Sequence, residues 1–284
     1  MEGREVNRSL MNILEVEQLR IWDALTEEVI VPDSSFQLKQ GQCLAIVGES
    51  GSGKSMTCRS IMRLNKPAIR QSGRILFQGV DLNKLTEQDM RKKRGRNLCM
   101  ILQNGMGAFD PSCVIGVHLK ETLQAHYGWN AKEVEQNMKL AMERVMLRNP
   151  VDIMNQYPHQ LSGGMLQRIM IALALVLEPD VIIADEPTTA LDTISQYEVI
   201  EQLIQLRERM GCSMIFVSHD LGVVRKIADE VLIMKDGHIV ESGSIHSVFS
   251  KPQHPYTQFL VSTRRELSNH FRQLMQEEQH IAKR

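Results

Sequence analysis

One octapeptide constrains this chain more than any other feature. Gly48-Glu49-Ser50-Gly51-Ser52-Gly53-Lys54-Ser55 directly follows the apolar run Leu44-Ala45-Ile46-Val47 and precedes helical spacing at Cys58, Ile61 and Met62 that lasts until Pro67. It matches G-x-x-x-x-G-K-[ST] without departure, and the context is the one the motif requires: strand, loop, helix. Each residue type has a physical reason. The glycines let successive backbone N–H groups converge on the β- and γ-phosphates, Lys54 supplies a mobile positive charge, and Ser55 offers a hydroxyl to Mg²⁺. The helix that starts here adds its positive dipole end. A merely flexible Gly/Ser loop would need neither the lysine nor the preceding strand.

Length and charge bound what surrounds this loop. The 284 residues suffice for one large α/β domain or two small ones, and 43% apolar with 24% charged residues is the balance of a folded globular protein. Lys+Arg (33) and Asp+Glu (34) nearly cancel, so no global positive field exists to hold a nucleic-acid backbone, and no nucleic-acid partner is expected. The longest apolar run, Ile169 to Leu177, is far short of the ~20 residues a membrane-spanning helix needs. Mixed charge at Met1-Glu2-Gly3-Arg4-Glu5 with no apolar stretch behind it shows no secretory signal, and a cytoplasmic protein is expected. Cys43, Cys58, Cys99, Cys113 and Cys212 are odd in number and scattered, which fits reduced thiols rather than a disulfide framework or a structural zinc site. The 17 methionines lie mostly in apolar helical stretches and read as core fillers.

Periodicity predicts two short antiparallel strands near the start, around Leu14 to Ile21 and Phe36 to Leu38, and another at Ile75-Leu76-Phe77. Residues from about 122 to 147 are rich in helix formers and lack proline, so the middle of the chain is expected to be helical. From Val181 onward, short β-rich runs alternate with helices, the pattern of a parallel sheet with crossover helices. Asp236-Gly237 signals a hairpin that adds antiparallel strands at an edge. Beyond Pro252 the chain turns polar and helical.

Two further segments carry chemistry. Val181-Ile182-Ile183-Ala184 is an apolar strand that ends in Asp185-Glu186, where open α/β sheets bind ligands. An isolated acidic pair is more commonly a solvated strand end. Beside a phosphate loop, one carboxylate is expected to hold Mg²⁺ on ATP and another to polarise water, which assigns Asp185 to the metal and Glu186 to the water. Leu161-Ser162-Gly163-Gly164-Met165-Leu166-Gln167-Arg168 heads an apolar helix that runs to Leu177 and stops at Glu178-Pro179. Ser162 suits an N-cap, and two exposed glycines in a first helical turn are costly enough to suggest close approach of a ligand.

The phosphate loop, Gln103 in Met100-Ile101-Leu102-Gln103, the Leu-Ser-Gly-Gly segment, Asp185-Glu186-Pro187-Thr188-Thr189-Ala190-Leu191-Asp192 and Ser218-His219-Asp220 occur in the order of the ATP-binding cassette (ABC) ATPases, and the chain resembles that family over most of residues 14–245. Phe109-Asp110-Pro111 and His254-Pro255-Tyr256-Thr257 resemble its peptide/nickel importer branch. Gly53-Lys54-Ser55-Met56-Thr57-Cys58 and Arg168-Ile169-Met170-Ile171-Ala172 resemble the D-type ATPase subunits for nickel and metal-opine uptake.

The resemblance implies an α/β fold, a P-loop NTPase core of ABC type with a mixed sheet, an N-terminal antiparallel β subdomain and an inserted helical subdomain. The ATPase domain would span 12–250, with the helical insert at about 104–165 and a polar helical tail at 251–284. It implies that Gln103 senses Mg²⁺ and the attacking water, that His219 holds the γ-phosphate, and that Ser162, Gly163 and Gly164 cover ATP bound by a partner cassette. Asp192 would cross that dimer interface as well as capping the helix through Tyr197, Ile200 and Leu203. For the adenine, Trp22 is the aromatic candidate, although Asp23 falls at the family's usual position. No cysteine follows Cys212, so the iron–sulfur cluster of many peptide-importer subunits is not expected.

The function so implied is hydrolysis of ATP, with Mg²⁺, at the cytoplasmic face of a membrane, driving import of nickel or another transition metal, free or as a metallophore complex. The implied partners are membrane permease subunits, a second and different ATPase subunit, and indirectly an extracellular solute-binding protein. A di- or oligopeptide importer is the main rival. A soluble ABC protein acting on ribosomes or DNA would carry paired cassettes or a long coiled-coil insertion, and neither is visible. Glu186 and His219 argue against a nucleotide-binding scaffold without turnover.

Overall fold

The computed structural model of the chain describes residues 11–189 and 191–263. Among them the strands are β1 (Asn12–Asp23), β2 (Val29–Lys39), β3 (Cys43–Val47), β4 (Ile69–Phe77), β5 (Val80–Asp81), β6 (Leu98–Ile101), β7 (Val181–Asp185), β8 (Ser213–Val217), β9 (Glu230–Lys235) and β10 (His238–Ser244). The helices are α1 (Lys54–Met62), α2 (Glu87–Lys93), α3 (Ile115–Tyr127), α4 (Ala131–Arg144), α5 (Pro150–Met154), α6 (Gly163–Leu177), α7 (Thr193–Met210), α8 (Leu221–Ile227) and α9 (Ile245–Ser250). Residues 255–263 are also helical, and the rest of the tail expected to be helical lies outside the described residues.

A six-stranded sheet runs β10-β9-β3-β8-β7-β6, parallel from β9 to β6, with β10 antiparallel at its edge after the Asp236-Gly237 turn. Its central strands β3, β7 and β8 are buried at every position because both faces are covered. Cys43, Ala45 and Val47 of β3 face a core built with the helices, while Leu44 and Ile46 face a second core against the other sheet. The same two-residue alternation divides Ile182 and Ala184 from Val181 and Ile183 in β7.

The second sheet, β2-β1-β4-β5, is antiparallel. It is larger than the two short N-terminal strands expected: β1 and β2 have 12 and 11 residues, and the strand at Ile75 to Phe77 joins them by pairing Phe77 with Leu14 and Ile75 with Val16. The helical middle is likewise interrupted. Gly128 closes α3 in the left-handed conformation (φ 71°), and Asn130 and Glu133 form a reciprocal capping box that starts α4. Helix α6 is buried on most of its surface and packs on α4 and α7. Among the described residues no helix is long and apolar enough to cross a membrane.

Candidate nucleotide site

The sheet order brings the chemistry together. Neighbouring parallel strands β3, β8, β7 and β6 end, at their carboxyl ends, in the phosphate loop, Ser218-His219, Asp185-Glu186 and Leu102-Gln103 respectively. Four segments distant in sequence therefore open on one edge, the ligand edge of an open α/β sheet. Between them lies a cavity of about 610 Å³ lined by Ser50, Gly51, Gly53, Lys54, Ser55, Gln103, Glu186, Thr189 and His219.

The loop is fixed from below. A Cβ at Gly48 would lie 2.2 Å from the Met234 carbonyl oxygen on β9, so only glycine passes there. Lys54 is buried, and its Nζ donates to the carbonyl oxygens of Gly48 (2.9 Å) and Glu49 (2.7 Å). The mobile charge expected at this position is instead folded back into its own loop. Burial lowers its pKa, partly offset by the Glu186 and Asp185 carboxylates, the former 3.8 Å away.

Ser55 Oγ donates to Asp185 Oδ1 (2.7 Å) at the end of β7. Asp185 is 1% exposed and its other oxygen, Oδ2, is buried without a hydrogen-bond partner. Burial raises its pKa, against the Ser55 hydroxyl and the Arg59 charge. A desolvated carboxylate oxygen beside a hydroxyl is the hard-oxygen donor set that suits Mg²⁺ held jointly with phosphates, so these residues fit that ion.

Glu186 is the hub. Its backbone is in the left-handed region (φ 45°), a conformation that costs a non-glycine residue ~1–3 kcal/mol. Oε2 accepts from Gln103 Nε2 (3.1 Å) and from the Thr189 hydroxyl (3.0 Å), with His219 Nδ1 3.7 Å away. A carboxylate held by two donors at the mouth of a phosphate loop can orient a water and take its proton.

Sequence reading missed Thr189, whose only signal was its place three residues after Glu186. It also missed Gln167. This residue of α6 is 1% exposed, and its Nε2 donates to the Leu102 (2.9 Å) and Gln103 (3.1 Å) carbonyl oxygens. The backbone that carries Gln103 is thus clamped to the helix headed by Ser162. Gln167→Glu would oppose carboxylate oxygens to two carbonyl oxygens in a buried site. It is expected to cost ~3–5 kcal/mol, a fall in Tm on the order of 10 °C in a thermal melt.

Ser162 is exposed and caps α6 by accepting the Met165 N–H (3.2 Å). Of the two glycines expected to be exposed, Gly164 is instead buried, and a Cβ on it would lie 3.1 Å from Ser195 on α7. The close packing of α6 on α7 favours a small residue at that position. Gly163 remains exposed, and neither it nor Ser162 lines the cavity in this chain. Asp192 caps α7, accepting the Ile194 and Ser195 N–H groups (both 3.0 Å) and the Ser195 hydroxyl (2.7 Å).

Trp22 does not reach the cavity. It shares the outer face of β1 with Arg20, whose guanidinium sits 5.7 Å from its ring centroid, because the neighbouring Ile21 faces the core. Ile30 of β2 is the apolar residue of this sheet that lines the cavity.

Fold and site together define a phosphate-loop ATPase built as an ATP-binding cassette. The family model described as "ABC transporter" matches residues 31–189, and the chain belongs to that family. It is 45% identical over 270 residues to the metal-staphylopine import system ATP-binding protein CntD of Staphylococcus aureus, covering 95% of this chain and 100% of that protein. It is 44% identical over 231 residues to the dipeptide transport ATP-binding protein DppD of Bacillus subtilis, covering 81% and 69%. Among solved structures, the dimeric post-hydrolysis state of the cassette MJ0796 bound to ADP and Pi superposes with a TM-score of 0.72 at 26% identity, over 82% of this chain and 98% of that one.

Proposed function

We propose that this chain powers import of a transition metal, as a complex with an opine-type metallophore, by hydrolysing ATP between itself and a second cassette. The observation that carries the chemistry is the convergence of Lys54, Gln103, Thr189 and His219 on Glu186 beside the phosphate loop. Glu186 would orient the attacking water and accept its proton, Gln103 and Thr189 hold that carboxylate, and His219 would contact the γ-phosphate. Loop N–H groups and Lys54 bind the phosphates. Ser55 and Asp185, with Gln103 nearby, would hold Mg²⁺, which neutralises charge on the phosphate oxygens.

The Ser162-Gly163-Gly164 helix end of each cassette would cover the nucleotide of the other, with Asp192 at the interface. Closure of that dimer would pull on permease helices seated against the helical region around 104–165. Gln167 supports such a coupling, because it joins the Gln103 backbone to the helix headed by Ser162. The site would then work at the cytoplasmic face of a membrane, with an extracellular binding protein delivering the cargo.

The cargo reading rests on the likeness to the metal-staphylopine protein along that protein's whole length. The comparable identity to a dipeptide transport protein keeps peptide as the second reading. Reconstitution with the permease and partner ATPase in proteoliposomes separates them. ATP-dependent uptake of radiolabelled nickel with an opine, unaffected by dipeptides, is expected, and dipeptide uptake without metal uptake would overturn the proposal.

A further inference from the structure

The His254-Pro255-Tyr256-Thr257 segment has no part in the chemistry above, yet it reaches the phosphate loop. The Tyr256 hydroxyl accepts the Glu49 N–H (3.0 Å) across 207 residues of sequence. That N–H belongs to the same peptide plane as the Gly48 carbonyl, to which Lys54 donates. One rigid plane in the loop is therefore held at both ends, by the C-terminal segment on one side and by the phosphate-binding lysine on the other.

The seat of Tyr256 is itself built. Glu241 on β10 accepts the N–H groups of Gln253 (2.9 Å) and His254 (3.0 Å), and His254 Nδ1 accepts the Tyr256 N–H (3.1 Å). Tyr256 is 7% exposed, with the Lys235 ammonium 5.2 Å from its ring centroid. A phenol fixed this well donates little flexibility to its partner.

We propose that Tyr256 is a positioning residue for the nucleotide site, its hydroxyl pre-setting the Gly48-Glu49 peptide for a triphosphate. The inference rests on the ATP reading of the loop. When Lys54 turns to phosphate, its bonds to the Gly48 and Glu49 carbonyls are given up, and Tyr256 is then the remaining hold on that plane. A bond made in the binding-competent conformation removes ordering that binding must otherwise supply, so it strengthens affinity without touching the chemical step.

Tyr256→Phe keeps the ring and removes the acceptor. In the full chain, the ATP Kd measured by titration is expected to rise about two- to tenfold, the range of one hydrogen bond. Glu49 amide exchange should accelerate and Tm should fall by only a few degrees, the cost of one stranded N–H, while kcat at saturating ATP stays as in the wild type. A purely structural tyrosine would lower Tm in the same way and leave Kd unchanged. Wild-type ATP affinity and Glu49 exchange in the variant would overturn the assignment, whereas a wild-type chain that fails to bind ATP would sink the nucleotide reading as well.

Discussion

Glu186→Gln is expected to leave nucleotide bound while nearly stopping its turnover. The amide is isosteric and keeps an acceptor for Gln103 Nε2 and the Thr189 hydroxyl, so the geometry at the end of β7 survives. What disappears is the group able to take a proton, and loss of a positioned base costs ~10²–10⁴ in rate, about 3–5 kcal/mol of barrier. Removing a negative charge beside a polyanion does not weaken binding, so ATP should accumulate on the variant. Phosphate release by the reconstituted complex, with ATP titration alongside, checks both halves. Turnover within about twofold of wild type would remove Glu186 from the role.

Lys54→Ala should do the converse and fail at binding. The buried ammonium satisfies two loop carbonyls here and stands 3.8 Å from Glu186. Charge-assisted bonds are worth ~1.5–3 kcal/mol each, which translates to an ATP Kd raised about 10- to 150-fold. The alanine also strands the Gly48 and Glu49 carbonyls, so the loop that should receive phosphate loses its internal brace. Arginine is a poor rescue, because a planar fork does not replace a point charge in a closed loop. Normal ATP affinity in Lys54→Ala would contradict the phosphate-binding role. The pair of variants separates binding from chemistry: one should retain ATP without hydrolysis, and the other should not retain it.

The contrast between Gly48 and Gly164 shows how different reasons hide behind one residue type. Both occur in glycine-bearing motifs beside helix starts. The first excludes a side chain because the β9 backbone passes 2.2 Å from where a Cβ would sit, whereas at the second a Cβ would only crowd the Ser195 side chain on α7, at 3.1 Å. Neither neighbour is near in sequence, so spacing alone suggested a ligand in both cases. Trp22 does not line the cavity for a related reason: strand alternation was readable, but which face of β1 meets the cavity depends on the sheet packed against it.

Local pattern determined much on its own. The octapeptide, the apolar strand ending in Asp185-Glu186, the β/α alternation after Val181 and the Asp236-Gly237 hairpin follow from residue periods of two and 3.6 and from turn chemistry, all of which act within a few residues. Tertiary structure alone decided that Lys54 folds back on its loop, that Thr189 and Gln103 share one oxygen of Glu186, that Gln167 clamps the Gln103 backbone, and that Tyr256 holds Glu49. The physical reason is the strand order β3-β8-β7-β6, which is not the order of the chain. Hydrogen bonds need partners within about 3 Å, and strand order, not sequence spacing, brings those partners that close.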